Sequence, residues 1–336
     1  AYVFMPYWSV VDDAIARDPS LRPELVATID SKVLGEEVLV YAVNMDGVNV
    51  YLLKCDKYFK VEGMVDVEGK MVPIKKEDVY RAEADKVYSQ RWRRTPKEHN
   101  THPLNAETAI FFSNAALTAM EVLHQRHRPD AIVTADWQTG AIPYLIEKSP
   151  DFRDKEFFQG SVRMHTIHNL AYKGLFWINE SDEAFQRLRG MLPLEEDDYD
   201  DRTVMNAEFY GNVSLMQAGV VESDIVVTVS PQYGEEIQTD EFASGMEVVF
   251  QIKEPLGILN GILPEEVDPS VSAELPAHYA DRPDAWDAKL GVVDAPEGKR
   301  INKAVLRAEY GLDPRPGERV PLIAFWGRLI EQKGLH

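Results

Sequence analysis

Residues 105–148, NAETAIFFSNAALTAMEVLHQRHRPDAIVTADWQTGAIPYLIEK, decide the fold class. In the first half Ala109, Phe112, Ala116, Met120 and Leu123 recur three or four residues apart. That spacing puts them on one face of a helix running from Asn105 to Arg128. Pro129-Asp130 ends it, since proline cannot continue a helix. Ala131-Ile132-Val133-Thr134 is a short apolar run and reads as a buried parallel strand. Asp136 follows, and a second helix is predicted from about Gln138 to Lys148. Helix, strand and helix in this succession give the doubly wound α/β pattern, with a parallel sheet.

Outward from this stretch the same grammar recurs. Ser161 to Ile167 reads as a strand with the polar pair His168-Asn169 at its C-terminal end. Ile225-Val226-Val227-Thr228-Val229 reads as another buried strand, and Ser230-Pro231 after it supplies an N-cap with proline at the first helical position. Tyr2 to Pro6 is a strand, and Val38 to Val43 and Val48 to Lys54 flank Asp46-Gly47, a strong hairpin signal. Residues 60–102 are charged and poorly periodic, and read as surface loop with room for one helix. Residues 180–202 are acidic and read as a solvated loop, because charge runs face water. Calcium is the competing reading there, without the ligand spacing or glycine of an EF-hand. Asn206 to Gly219 is predicted helical. The chain crosses into a new unit around Glu254 to Gly261 and runs through an irregular linker, Asp268 to Asp294. A helix, Arg300 to Tyr310, is ended by Gly311, and Pro321 to Trp326 is a strand leading into a loop at Gly327 to Gly334.

The 336 residues suffice for one large domain or two. A net charge of −20 argues against nucleic acid, whose phosphates need a basic face. One cysteine, Cys55, leaves no internal disulfide and reads as a buried, inert thiol in a reducing compartment. No apolar run approaches membrane-spanning length, and no signal peptide is visible. His, Asp and Glu do not cluster at metal-ligand spacing, so no metal is expected. The absence of G-x-G-x-x-G makes a dehydrogenase the weaker reading.

Three groups of residues stand out chemically. His168 and Asn169 lie beyond a strand's C-terminal end, where open parallel sheets bind ligands; a hydrogen-bonded strand cap is the alternative. Asp136 suits either an N-cap for the helix after it or a place in a site. Arg328 and Lys333 follow the last predicted strand. They read as exposed surface cations or as a pair facing phosphate, the fork of one beside the point charge of the other.

The string TIHNLAYKGLF at 166–176 resembles the signature of bacterial and plastid glycogen and starch synthases, which transfer glucose from ADP-glucose to an α-1,4-glucan. The resemblance continues, in the family's order, in TADWQTGAIP at 134–143, SLMQAGVVESDIVVTVSPQYGEEIQT at 214–239, GILNGI at 257–262, and NKAVLRAEYGL with PLIAFWGRLIEQKG at 302–312 and 321–334. It implies a GT-B fold: an acceptor-side Rossmann-like domain over 1–254, then the crossing and a truncated nucleotide-side domain over 255–336. The implied reaction retains configuration, by front-face attack without a covalent enzyme intermediate. His168 would lie near the anomeric carbon with Asn169 on the sugar, and Asp136 in the site. Asn260 would face the cleft, and Tyr172, with Tyr58, would shape the acceptor side. Arg328 and Lys333 would hold the leaving diphosphate, with ADP-glucose as donor substrate and no metal or other cofactor. The partners implied are an α-glucan and a nucleotide sugar, in the cytoplasm, or in the plastid if the source is a plant or alga. Trp137 reads as core.

The match also has departures. The family's glycine-rich N-terminal loop is not within the chain, which opens at Ala1 almost directly in a strand and reads as a piece of a longer protein. Val133 and Ala135 stand where the family usually has His or Asn, Leu104 and Thr108 where Asp and Arg are usual, Leu263 for an Asp and Val267 for a Trp. With that loop and most of the nucleotide-side domain outside the chain, half of the phosphate site and the nucleotide pocket are missing, and this chain alone is expected to be inactive or nearly so. Two alternatives stand beside it: a non-catalytic glucan-binding paralogue, and a related GT-B enzyme using UDP-glucose.

Overall fold

The computed structural model describes residues 1–18, 20–31, 35–59, 63–67, 70–74, 103–177, 183–194, 207–284, 287, 289–312, 320–325 and 327. The chain forms two compact units, Ala1–Leu259 and Asn260–His336.

The first unit opens with β1 (Tyr2–Pro6) and α1 (Ser9–Arg17), followed by β2 (Glu24–Ser31), β3 (Glu36–Met45) and β4 (Val48–Lys54). These strands pair in the order β1-β4-β3-β2. β1 runs parallel to β4, and the other neighbours are antiparallel. Asp46 and Gly47 form the predicted two-residue turn, with φ of 50° and 84°. After the short α2 (Asp56–Phe59) come β5 (Gly63–Val67) and β6 (Lys70–Ile74), an antiparallel hairpin. The sequence predicts loop there; Val65, Val67, Val72 and Ile74 are strand formers that the surrounding charges conceal. The remainder of that stretch, 75–102, lies outside the described residues.

Helix α3 (Pro103–His124) is the predicted long helix. It stops short of Arg128, because residues 125–128 carry no apolar side chain to bury. It is buried on more than one face: Ala106, Ile110, Phe111, Ala115, Leu117 and Ala119 are all fully buried. Each large side chain so removed from water contributes about 1.5–3 kcal/mol. Ser113 and Asn114 are tolerated inside because their side chains donate to the carbonyls of Ala109 and Ile110, and Asn114 also reaches that of Met191.

β7 (Ala131–Ala135) follows, then α4 (Asp136–Thr139) and α5 (Ala141–Lys148), where one helix is predicted. The break falls at Gly140. A Cβ there would lie 2.0 Å from the Leu215 carbonyl oxygen, so the chain passes this point only as glycine. Next come β8 (Val162–Ile167), β9 (Leu175–Trp177), α6 (Glu183–Met191), β10 (Glu208–Phe209), β11 (Asn212–Ser214) and α7 (Leu215–Val221). Two predictions change here. Residues 183–191 of the acidic stretch are helical, held by buried Phe185, Leu188 and Met191 on one face; the acidic run 195–201 lies outside the described residues. The predicted helix 206–219 is instead a hairpin turning at Tyr210-Gly211, with only α7 helical. β9, β10 and β11 form one antiparallel sheet.

The unit closes with β12 (Ile225–Thr228), α8 (Pro231–Glu236), α9 (Glu247–Lys253) and β13 (Leu256–Gly257). Ser230 caps α8 as predicted, its hydroxyl accepting from the Tyr233 N–H at 3.0 Å. β13, β12, β8 and β7 form an all-parallel sheet in that order. β7 is not wholly buried: Ile132 and Thr134 are, while Val133 is 64% exposed. β7 is the edge strand of this sheet, and alternate side chains take opposite faces.

In the second unit α10 (Pro264–Val267) precedes the parallel pair β14 (Tyr279–Ala280) and β15 (Val293–Asp294), short strands within the predicted linker. α11 (Ala295–Glu309) starts ahead of the predicted Arg300, because Asp294 caps it by accepting from the Glu297 N–H at 2.9 Å. Gly311 ends it in the left-handed conformation, with φ of 63°. Pro321 to Phe325 forms no strand, against prediction; among the described residues no neighbouring strand pairs with it, and a strand needs a ladder.

Candidate active site

The site is built where β7 and β8, adjacent and parallel, reach their C-terminal ends. Ala135 of β7 lies opposite Thr166 of β8, so Asp136 and the residues after Ile167 emerge side by side. Asp136 adopts a φ of 54°, a conformation that costs a non-glycine residue about 1 kcal/mol and that Asp tolerates better than most. The N-cap of α4 is Ala135, without a side-chain cap bond. The N-cap reading of Asp136 is therefore corrected: its carboxylate crosses to β8 instead. Oδ1 accepts from the His168 N–H at 2.8 Å and from the Asn169 N–H at 3.2 Å. Hydrogen bonds to a charged acceptor are the strong kind and offset the backbone strain. The Thr139 hydroxyl, 2.7 Å from both the N–H and the carbonyl oxygen of Ala135, closes the turn below it.

His168 Nδ1 lies 3.4 Å from the other Asp136 oxygen, Oδ2. The imidazole is about half exposed, with 47% of its side chain accessible. A carboxylate facing Nδ1 favours the tautomer that keeps its proton there, so Nε2 carries the lone pair. The next N–H groups are held too. Leu170 N–H donates to the Tyr233 hydroxyl at 3.2 Å, and Ala171 N–H to Asn169 Oδ1 at 3.0 Å. Four successive backbone donors thus end on side-chain oxygens, which fixes the turn without a sheet ladder. Further on, the Lys173 carbonyl accepts from the Ser214 hydroxyl and the Met216 N–H, tying the stretch to the start of α7.

Beneath the pair sits His165, fully buried on β8. Its Nδ1 lies 2.8 Å from the Thr134 hydroxyl, and Nε2 has no hydrogen-bond partner among the described residues. Burial, with His168 nearby, pushes its pKa down to about 4, so the ring is neutral near pH 7.

Of the predicted site residues, the structure brings together Asp136, His168 and Asn169. Asn169 spends its carbonyl on the turn itself. Tyr172 follows on the same stretch and is 40% exposed. Asn260 is exposed and is the first residue of the second unit. Arg328 and Lys333 lie outside the described residues. Trp137 is core, as predicted. Tyr58 is corrected: it is buried in the core, its ring stacked on Phe111 at 4.0 Å. Sequence reasoning missed Tyr233, whose segment carries only a cap signal, and the His165–Thr134 pair. Among the described residues no group of three or more His, Cys, Asp or Glu side chains could hold a metal ion, and no helix is long and apolar enough to cross a membrane.

Parallel strands presenting a carboxylate and an imidazole at neighbouring C-terminal ends form the ligand-binding edge of an open α/β domain, here of the GT-B type. The same fold is seen in the catalytic domain of starch synthase IV from Arabidopsis thaliana, a structure bound to ADP and acarbose. It covers 94% of this chain and 53% of its own, with a TM-score of 0.64 at 24% identity. The chain belongs to the starch synthase catalytic domain family, whose model matches residues 1–252. It is 35% identical over 232 residues to the glycogen synthase of Pseudothermotoga lettingae, covering 68% of this chain and 42% of that one. It is 36% identical over 235 residues to that of Bacillus licheniformis, covering 69% and 43%. The glycogen synthase of Fervidobacterium nodosum is 29% identical across 99% of this chain and 57% of its own length. The chain spans about half the length of the curated relatives it matches.

Proposed function

We propose that the protein elongates an α-1,4-glucan, as a retaining glucosyltransferase with ADP-glucose as donor, in the cytoplasm, and that residues 1–254 form its acceptor-side domain. The observation that carries this reading is the Asp136–His168 pair at adjacent strand ends, in a chain of the starch synthase family. In such a transfer the sugar must be held while the bond to the diphosphate breaks, so positioning and electrostatics do most of the work. Asp136 fixes the His168 turn, and His168 faces the anomeric centre with Asn169 beside it. Tyr172 and Asn260 border the sugar. Arg328 and Lys333 take the developing charge on the leaving diphosphate without a metal. The chain spans about half its relatives' length, and the transfer proposed is that of a protein of the relatives' full length.

The test supplies labelled ADP-glucose and glycogen to the protein carrying a C-terminal half of the relatives' length, with UDP-glucose as competitor. Transfer from ADP-glucose is the expected result; transfer from UDP-glucose alone would replace the donor. Val133, Ala135 and Leu263, which depart from the family's usual residues, support a second reading, a non-catalytic glucan-binding paralogue. Glycogen retained without transfer would favour it.

A further inference from the structure

The His168 turn is held from two sides. From β7, Asp136 accepts the N–H groups of His168 and Asn169. From the far side, beyond β12, the Tyr233 hydroxyl accepts the N–H of Leu170 at 3.2 Å. Asn169 takes the fourth N–H, that of Ala171, within the turn itself. Asp136 holds the turn from one side only, at its first two residues. Tyr233, in α8 just after β12, holds it from the side of the other strand that flanks β8.

We infer that Tyr233 is a positioning residue for His168, acting through its hydroxyl as the acceptor for Leu170 N–H. Its own placement is rigid enough for the task. The Tyr233 N–H is capped by Ser230 Oγ at 3.0 Å, and the Ser230 carbonyl accepts from the Thr228 hydroxyl at 3.1 Å and the Gly234 N–H at 3.0 Å. β13 lies flush against the start of α8: a Cβ on Gly257 would come 2.2 Å from Pro231 Cα. The last strand before the crossing to the second unit therefore backs the helix that carries the second anchor. Burial first, with Asp136 adding, raises the phenol's pKa, so the hydroxyl stays neutral near pH 7 and its lone pairs remain available to Leu170. Among the described residues the hydroxyl accepts from Leu170 N–H and its proton meets no acceptor.

The catalytic consequence rests on the proposed glucosyl transfer; the structural part does not. The test is Tyr233→Phe, which keeps the ring and its packing and deletes one oxygen. Two readouts separate the claims. Backbone amide exchange of Leu170 should speed up by about three- to tenfold, the worth of one neutral hydrogen bond, with exchange in α3 unchanged. In the glycogen transfer assay kcat should fall by about tenfold while KM for glycogen and for ADP-glucose stays within about twofold, since misplacing a group costs the transition state more than ground-state binding. A Leu170 amide as protected as in the parent, or kcat unchanged despite faster exchange, would overturn the inference. If the parent shows no transfer at all, the functional proposal fails, and the exchange result still decides whether Tyr233 anchors the turn.

Discussion

At the scale of single residues, Asp136 does two jobs that substitutions can separate. As an acceptor it satisfies two N–H groups of the His168 turn; as a charge it faces the imidazole. Asp136→Asn keeps an acceptor oxygen and loses the charge. It is expected to retain stability within about 1 kcal/mol and to lose transfer by at least about tenfold. Asp136→Ala strands both N–H groups and should cost about 2 kcal/mol in urea unfolding. His165 sets a pH dependence of its own. Its folded pKa, about 4, lies below the ordinary histidine value, so as pH falls the unfolded chain takes up the proton first. The stability at stake is complete above about pH 6.5 and is lost as pH falls toward 4, by up to about 3 kcal/mol. Urea unfolding at pH 7.5 and pH 5 measures it. His165→Leu, which leaves the Thr134 hydroxyl its bond to the Met164 carbonyl, should flatten that dependence. An unaltered slope would mean other groups carry the acid sensitivity. The placing of His168 and Asp136 was legible in the sequence, because polar residues just past apolar runs mark strand ends. The left-handed backbone at Asp136 and the reach of Tyr233 were not. Both depend on which strand lies beside which, and no local pattern encodes that.

At the scale of elements, local chemistry spoke clearly wherever one rule dominated. Asp46-Gly47 made its hairpin, Ser230-Pro231 its cap, and the runs at 131 and 225 their parallel strands. Reading failed where elements are too short to show a period. β10 and β11 have two and three residues, so Asn206 to Gly219 looked helical. Long-range contact also broke what periodicity would have joined, as at Gly140. Gly140→Ala would press a methyl group against the Leu215 carbonyl, 2.0 Å from the ideal position. We expect a loss of about 3 kcal/mol or failure to fold, read by urea unfolding. A stable, unshifted Gly140→Ala variant would show that α4 and α7 do not approach as described.

At the scale of the whole molecule, charge and composition excluded partners more readily than they identified any. The −20 net charge is a property of the surface, and says nothing of the paired strand ends where the chemistry sits. What identified the family was a succession of short motifs in order: those at 134–143 and 166–176 run across the ends of β7 and β8, while the one at 214–239 takes in the buried helix α7. We propose that the turn held by Asp136 performs glucosyl transfer to an α-glucan. The most direct measurement compares the parent with His168→Ala, each with a C-terminal half of the relatives' length, in transfer from labelled ADP-glucose to glycogen. Transfer by the parent is expected, with a fall of at least about 100-fold in the variant and glycogen binding and unfolding midpoint retained. A variant as active as the parent would contradict it.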